Sequence, residues 1–266
     1  MIFGNPSSTG AATAVWLALA SCAPAFAQDA PPNPPEQKRS ENERPISYGV
    51  EIEFGSGYAD RGLVISDRPV GQAVTWVSGS VAAFSVWGNI TLAETTDGSR
   101  PQILAMDLTR AHEWRNLTIE PAVRVIFYRD PLSIDSSRSL EGWLYLSYHA
   151  GPVRLFTNQS VDVLAYKGAY FGEAGIAVDR HVSQRVEVGG SFNTGWASST
   201  FNDAWFGIEK SALNLAGVEG RLTVHVTSHL YIGPHVQFAT TVDRAMRAEL
   251  AQPTFFLVGL ATGVEF

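Results

Sequence analysis

The chain has 266 residues, a formal net charge of −7 at pH 7 and charged residues at 17%, with a mean hydropathy of +0.01. The acidic balance and the lack of a basic patch argue against nucleic acid as a partner. A lone cysteine, Cys22, leaves no pair for a disulfide and no cysteine metal site. No run reaches the ~18–20 apolar residues of a transmembrane helix, and so few charges suit a β-barrel whose apolar and polar faces average out.

The N-terminus reads as an export segment. Residues 11–20 form a short apolar stretch with Val15, Trp16, Leu17 and Leu19, and Ala25-Phe26-Ala27 supplies a small-residue cleavage site before Gln28. Residues 1–27 are therefore expected to be a signal peptide, although residues 1–10 carry no Lys or Arg. A competing pattern, Leu19-Ala20-Ser21-Cys22, would make Cys22 an acylated residue, but the cleavage site just beyond it favours its removal. Residues 28–45 are rich in proline and then in mixed charge. That composition cannot bury a core and predicts a disordered periplasmic lead.

From Ile46 onward the side chains alternate with the dyad period of strands, giving a barrel domain over residues 46–266. Tyr48, Val50, Ile52 and Phe54 share one face of the first strand, with Glu51 and Glu53 on the other. Phe84, Val86 and Ile90 oppose Ser85, Trp87 and Asn89, and Val123, Val125 and Phe127 oppose Arg124 and Tyr128. Leu144, Leu146 and Tyr148 oppose Glu141, Trp143, Tyr145 and Ser147. Ile176 and Val178 oppose Glu173, Val186 and Val188 oppose Glu187, and Ile232, Val236 and Phe238 oppose Tyr231, His235 and Gln237. Strands near 72–77, Leu117, Val153 and Val218 alternate less cleanly.

Connections alternate as well. Tight turns are expected at 78–80, 120–121, 149–152, 182–184 and 227–228, and longer loops at 59–68, 93–110, 129–137, 163–167, 197–210 and 243–252. Short periplasmic turns alternating with long external loops predict an all-β, transmembrane, antiparallel up-and-down barrel of about 12 strands, or about 10 if the Pro121 corner is part of one long strand. Tyr48, Trp76, Tyr148, Tyr170, Trp196 and Phe266 fall near strand ends, where interfacial aromatic girdles are expected.

The last strand places Phe256, Val258, Leu260, Val264 and Phe266 on one face. A C-terminal aromatic closing such a strand resembles the assembly signal of bacterial outer-membrane barrels. Further resemblance lies in Gly55-Ser56-Gly57-Tyr58-Ala59-Asp60-Arg61-Gly62, in Ser66-Asp67-Arg68-Pro69 with Gln72, and in Trp87-Gly88-Asn89. Together with Ser139-Leu140-Glu141-Gly142 and Gly168-Ala169-Tyr170, these are similar to the TorF-type porins of proteobacteria, over residues 46–266. The resemblance implies a pore in the bacterial cell outer membrane. The chain departs from it around Glu120-Pro121, where a longer hairpin would stand.

The face opposite the apolar one carries the candidate lumen residues Glu51, Glu53, Arg124, Glu141, Arg154, Glu173, Glu187, Glu219, Arg221 and His235. Acids outnumber bases there, so one expectation is a hydrated, mildly cation-preferring channel for small solutes or ions. The other is an occluded scaffolding barrel packed with Glu–Arg pairs, its lead touching periplasmic partners. Glu219 and Arg221, two apart on one face, are the pair expected first. Asp60, Arg61, Asp67 and Arg68 are expected to form surface ion pairs at the barrel mouth. Ser147 and His149 share a face without an identifiable third catalytic residue, so a barrel hydrolase is a minor reading and no enzyme is expected. No cofactor or metal is expected. Partners would be outer-membrane lipid, the outer-membrane assembly machinery and the permeating solutes, with the chain a monomer.

Overall fold

A computed structural model describes residues 46–95, 98–129 and 138–266. The expected signal peptide, the proline-rich lead, Cys22 and most of the loop at 129–137 lie outside the described residues.

The first long connection follows β1 (Ser47–Gly55) and contains a small hairpin, β2 (Tyr58–Asp60) and β3 (Leu63–Ser66). Next come β4 (Val70–Ser78), β5 (Ala83–Thr91), β6 (Gln102–Thr109), the short β7 (His112–Trp114) and β8 (Leu117–Arg129). β9 (Arg138–Ala150), β10 (Val153–Asp162), β11 (Tyr170–Ser183) and β12 (Val186–Ala197) lead to helix α1 (Ser199–Phe206). β13 (Ala212–His225), β14 (Leu230–Thr241), helix α2 (Arg244–Glu249) and β15 (Thr254–Glu265) complete the order.

Twelve strands form one closed antiparallel barrel, in the order β6-β5-β4-β1-β15-β14-β13-β12-β11-β10-β9-β8, with β8 returning to β6. β7 is an appendage of β8, and the β2–β3 hairpin is a separate ribbon. The chain ends meet in the β1–β15 ladder, where Glu51 lies opposite Gly263. The expected alternation of connections holds: one end of the barrel carries short turns and the other the long loops.

The fourth strand is not where the periodicity suggested. β8 runs unbroken through Glu120 and Pro121, and the turn lies upstream at 110–116. The count stays even because residues 102–109, expected as loop, form β6. The β6 inner face includes the apolar Ile103 and Ala105, so both faces are apolar over half its length and the dyad signal is lost. The Pro121 carbonyl accepts from the Arg110 N–H at 3.2 Å, so the proline nitrogen faces the same side, where the ladder passes from β6 to β7. The missing donor falls in that break, the kind of place a sheet admits proline.

Outward residues such as Val50, Ile52, Phe54, Val188, Phe192, Phe256, Val258, Leu260 and Phe266 are exposed. Their inward neighbours Glu51, Glu53, Glu187 and Glu265 are buried. An apolar exterior around a closed ladder suits hydrocarbon surroundings, where no water is present to satisfy backbone groups. Val264 shares the outward face and is half-buried. Tyr48, Tyr148 and Phe266 are exposed at the short-turn end, with Tyr48 stacked on Phe266 at 5.6 Å. Trp76 corrects the girdle expectation: it is 3% exposed and points inward. At the long-loop end Tyr170 and Trp196 are half-buried, and the Trp196 indole donates to the Tyr170 hydroxyl at 3.2 Å.

The interior is filled by side chains that cross over glycine. Tyr231, Gly263 and Glu51 lie abreast on β14, β15 and β1. The phenol extends over Gly263 and donates to Glu51 Oε2 at 2.5 Å. His235 lies over Gly259 in the same manner and brings Nε2 to 3.5 Å from Glu53 Oε1. A methyl group at Gly263 would collide with the Tyr231 ring. Gly263→Ala is therefore expected to cost about 1–3 kcal/mol, the usual range for overpacking. Adding Tyr231→Ala should remove the clash, making the double loss smaller than the sum in urea unfolding of lipid-reconstituted barrels.

Candidate functional site: the lumen and its plug

The β2–β3 hairpin does not lie on the surface. It closes with a two-residue turn in which Arg61 has φ 51° and Gly62 φ 91°, the left-handed pair of a type I′ turn. A non-glycine residue is disfavoured there, so the position of Arg61 must be held by what the side chain reaches. Arg61 is 6% exposed, and Nη1 and Nη2 donate to Glu141 Oε1 and Oε2 at 3.0 and 2.5 Å. Glu141 stands on β9, on the far side of the barrel from β1, so this bidentate pair ties the hairpin across the lumen. Burial disfavours the charge on Arg61, but Glu141 and Asp60 outweigh it and hold the guanidinium above its ordinary range. The expectation of surface ion pairs is thus corrected for Arg61. Arg68 and Asp67 do approach each other at the rim, at 3.8 Å.

Aromatic rings complete the plug. The Arg61 guanidinium lies 5.1–5.7 Å from the ring centroids of Trp143, Phe171, Phe201 and Trp205, in cation–π range. Phe201 and Trp205 come from α1, which starts on the Ser198 cap, whose hydroxyl accepts from the Phe201 N–H at 3.2 Å. Asn202 fastens α1 to β13: the Asn202 and Asn214 amides donate to each other's oxygens at 3.2 and 2.6 Å. Ile65, Trp87, Ile103, Ile126 and Tyr128 join the same buried cluster. The inner face therefore holds an aromatic layer near the hairpin, which the polar-lumen expectation lacked.

The structure brings every expected lumen residue to the inner face, but pairs them differently. Arg124 donates through Nε to Asp107 Oδ1 at 2.6 Å and lies 4.2 Å from the Trp143 ring centroid, whose indole donates to Glu141 at 2.8 Å. Arg221 donates to Asp179 at 2.8 Å, reaching across Gly189, which stands between them in register. The expected Glu219–Arg221 pair is thus superseded as the main contact of Arg221, because Gly189 has no side chain and leaves the long guanidinium a clear path across β12 to Asp179. Arg154 donates to the Tyr145 hydroxyl at 2.5 Å. Glu53 accepts from Gln72 at 2.9 Å, and Glu173 accepts from Asn193 at 3.2 Å. Glu187 lies 3.6 Å from His181.

Glu219, His235 and Glu53 border a cavity of about 80 Å³ beneath the hairpin, walled also by Trp87, Ile103 and Tyr128. A second cavity of about 310 Å³ lies at the short-turn end beside Arg154, Asp179 and His149. Ser147 is buried on the inner face nearby, and His149 is opposite Arg154 in the ladder. Asp107 and Asp179 were missed for different reasons. Asp107 sits in the strand taken for a loop, whereas parity with outward Val178 already put Asp179 inside.

No protein-family model matches the chain, and no curated protein does. Among solved structures it is similar to the NanC porin, with a TM-score of 0.52 at 10% identity, covering 81% of this chain and 98% of that one. The KdgM porin aligns at a TM-score of 0.49 and 9% identity, covering 83% and 99%. An outer membrane channel from Pseudomonas putida F1 gives 0.48 and 10%, covering 87% and 100%. The chain has a porin-like barrel fold.

Removing one partner of a buried ion pair strands the other. Arg61→Ala is expected to cost about 3–5 kcal/mol, and Arg61→Leu with Glu141→Leu should recover most of it. Unfolding followed by tryptophan fluorescence checks this, and neutral single variants would contradict it.

Proposed function

We propose that this protein is an outer-membrane channel for small solutes or ions, of the TorF-type porin class, with a mild preference for cations. On this reading residues 1–27 direct export and residues 28–45 form a periplasmic lead. The short turns face the periplasm, and the outward face of β15 up to Phe266 is read by the assembly machinery. The observation that carries the channel is the state of the inner carboxylates. Glu187 and Glu265 are 2% and 9% exposed. Both Glu187 oxygens and Oε1 of Glu265 lack a hydrogen-bond partner among the described residues. Buried carboxylates so placed require water, which favours a hydrated lumen over a dry one. The arginines Arg61, Arg124 and Arg221 are each engaged by an acid, and Glu51, Glu53, Glu173, Glu187 and Glu219 outnumber the remaining Arg154, so the acids set the sign of the lumen field.

A second reading, an occluded scaffolding barrel, is favoured by the Arg61 hairpin and α1, which fill the long-loop end. Planar-bilayer recording of the refolded chain separates the two. Discrete cation-selective steps are expected, growing when residues 58–66 are replaced by a short linker. Silence from both forms, with a normally folded barrel, would overturn the channel and leave the scaffold. Glu51→Gln, Glu53→Gln and Glu219→Gln together should shift the reversal potential toward no selectivity. An unchanged potential would contradict the roles assigned to those residues.

A further inference from the structure

At the short-turn end, one buried cation is only half used by its neighbours. Arg154 is 3% exposed. Its Nη1 donates to the Tyr145 hydroxyl at 2.5 Å, and Tyr145 stacks on Phe156 with centroids 6.4 Å apart. The guanidinium also lies 5.5 Å from the Phe156 ring centroid, so its orientation is set from two sides. What remains is the edge formed by Nε and Nη2. Neither atom has a hydrogen-bond partner among the described residues. Two parallel N–H groups on one guanidinium edge match two oxygens of a carboxylate or phosphate. Buried charged donors left unmet are costly.

The surroundings agree with that demand. Arg154 borders the cavity of about 310 Å³, which His149, Arg180 and His181 also line. His149 stands directly opposite Arg154 on β9. The cavity has one acid, Asp179, whose Oδ1 already accepts from Arg221 at 2.8 Å. With Asp179 offset by Arg221, and with Glu187 3.6 Å from His181, Arg154 and Arg180 still leave the balance at the cavity positive, unlike the acid-rich lumen beyond it.

We propose that this cavity is a binding site for a small oxyanion of the phosphate class, which Arg154 meets by turning its covered Nε–Nη2 edge into the cavity, with His149 and His181 flanking. The site does not depend on whether the barrel conducts. The test is equilibrium binding of radiolabelled inorganic phosphate to the refolded chain in a phosphate-free detergent. Saturable binding at one site per barrel is expected, with chloride at equal concentration failing to compete. Arg154→Gln should weaken binding by about tenfold or more, the loss of a charge-assisted pair of bonds. Arg68→Gln, at the opposite rim, should leave it unchanged. If Arg154→Gln does not refold, His149→Gln keeps the guanidinium and its tyrosine anchor, and should weaken binding several-fold. No saturable binding by the folded barrel, equal competition by chloride, or unchanged affinity in the refolded variant would each overturn the proposal.

Discussion

A sheet with its exterior in hydrocarbon must satisfy all its backbone polar groups from within, because no water is available to pair with an edge. Here the requirement is met by the β1–β15 pairing of the chain ends together with the return of β8 to β6. Other features follow from closure. The strict two-residue period is imposed because each strand has a lipid side and an interior side. The interior of a twelve-strand barrel is also narrow, so large inward side chains need small neighbours to lie across. Gly263 and Gly259 serve Tyr231 and His235 in this way, and Gly189 stands between Asp179 and Arg221.

The lumen is divided into two regions of different chemistry. At the long-loop end, a hairpin turned back into the barrel and a capped helix build an aromatic layer around Arg61, and the Arg61–Glu141 pair fixes it to the opposite wall. Toward the short turns the layer gives way to carboxylates, arginines and cavities. The first region resembles a protein core; the second requires solvent.

Much of this architecture was legible from the chain. The alternation through β1, β5, β9 and β14, the closing strand at Phe266 and the order of turns and loops all express the lipid-facing constraint directly. The errors share a physical cause, which is that periodicity reports one strand at a time. β6 was hidden because Ile103 and Ala105 face an apolar layer supplied by distant segments. Pro121 marked a turn only until the break between β6 and β7 absorbed its missing donor. Arg61 looked like a rim residue because its partner lies 80 positions away. Trp76 sat near a strand end, as a girdle residue should, yet its parity already put it inside with Val74. Register decided the remaining pairings: Asp179 meets Arg221 because Gly189 aligns them, a relation no single strand reveals.

The central claim is that the polar face lines a hydrated interior while the neighbouring face meets lipid. Glu187 and Val188 are adjacent on β12, one buried inward and the other exposed outward. The most direct test is alkylation by a membrane-impermeant maleimide of Glu187→Cys and Val188→Cys chains, each also carrying Cys22→Ser and reconstituted in bilayers. The cysteine at 187 should react while that at 188 is protected; reaction at 188 with protection at 187 would contradict the account.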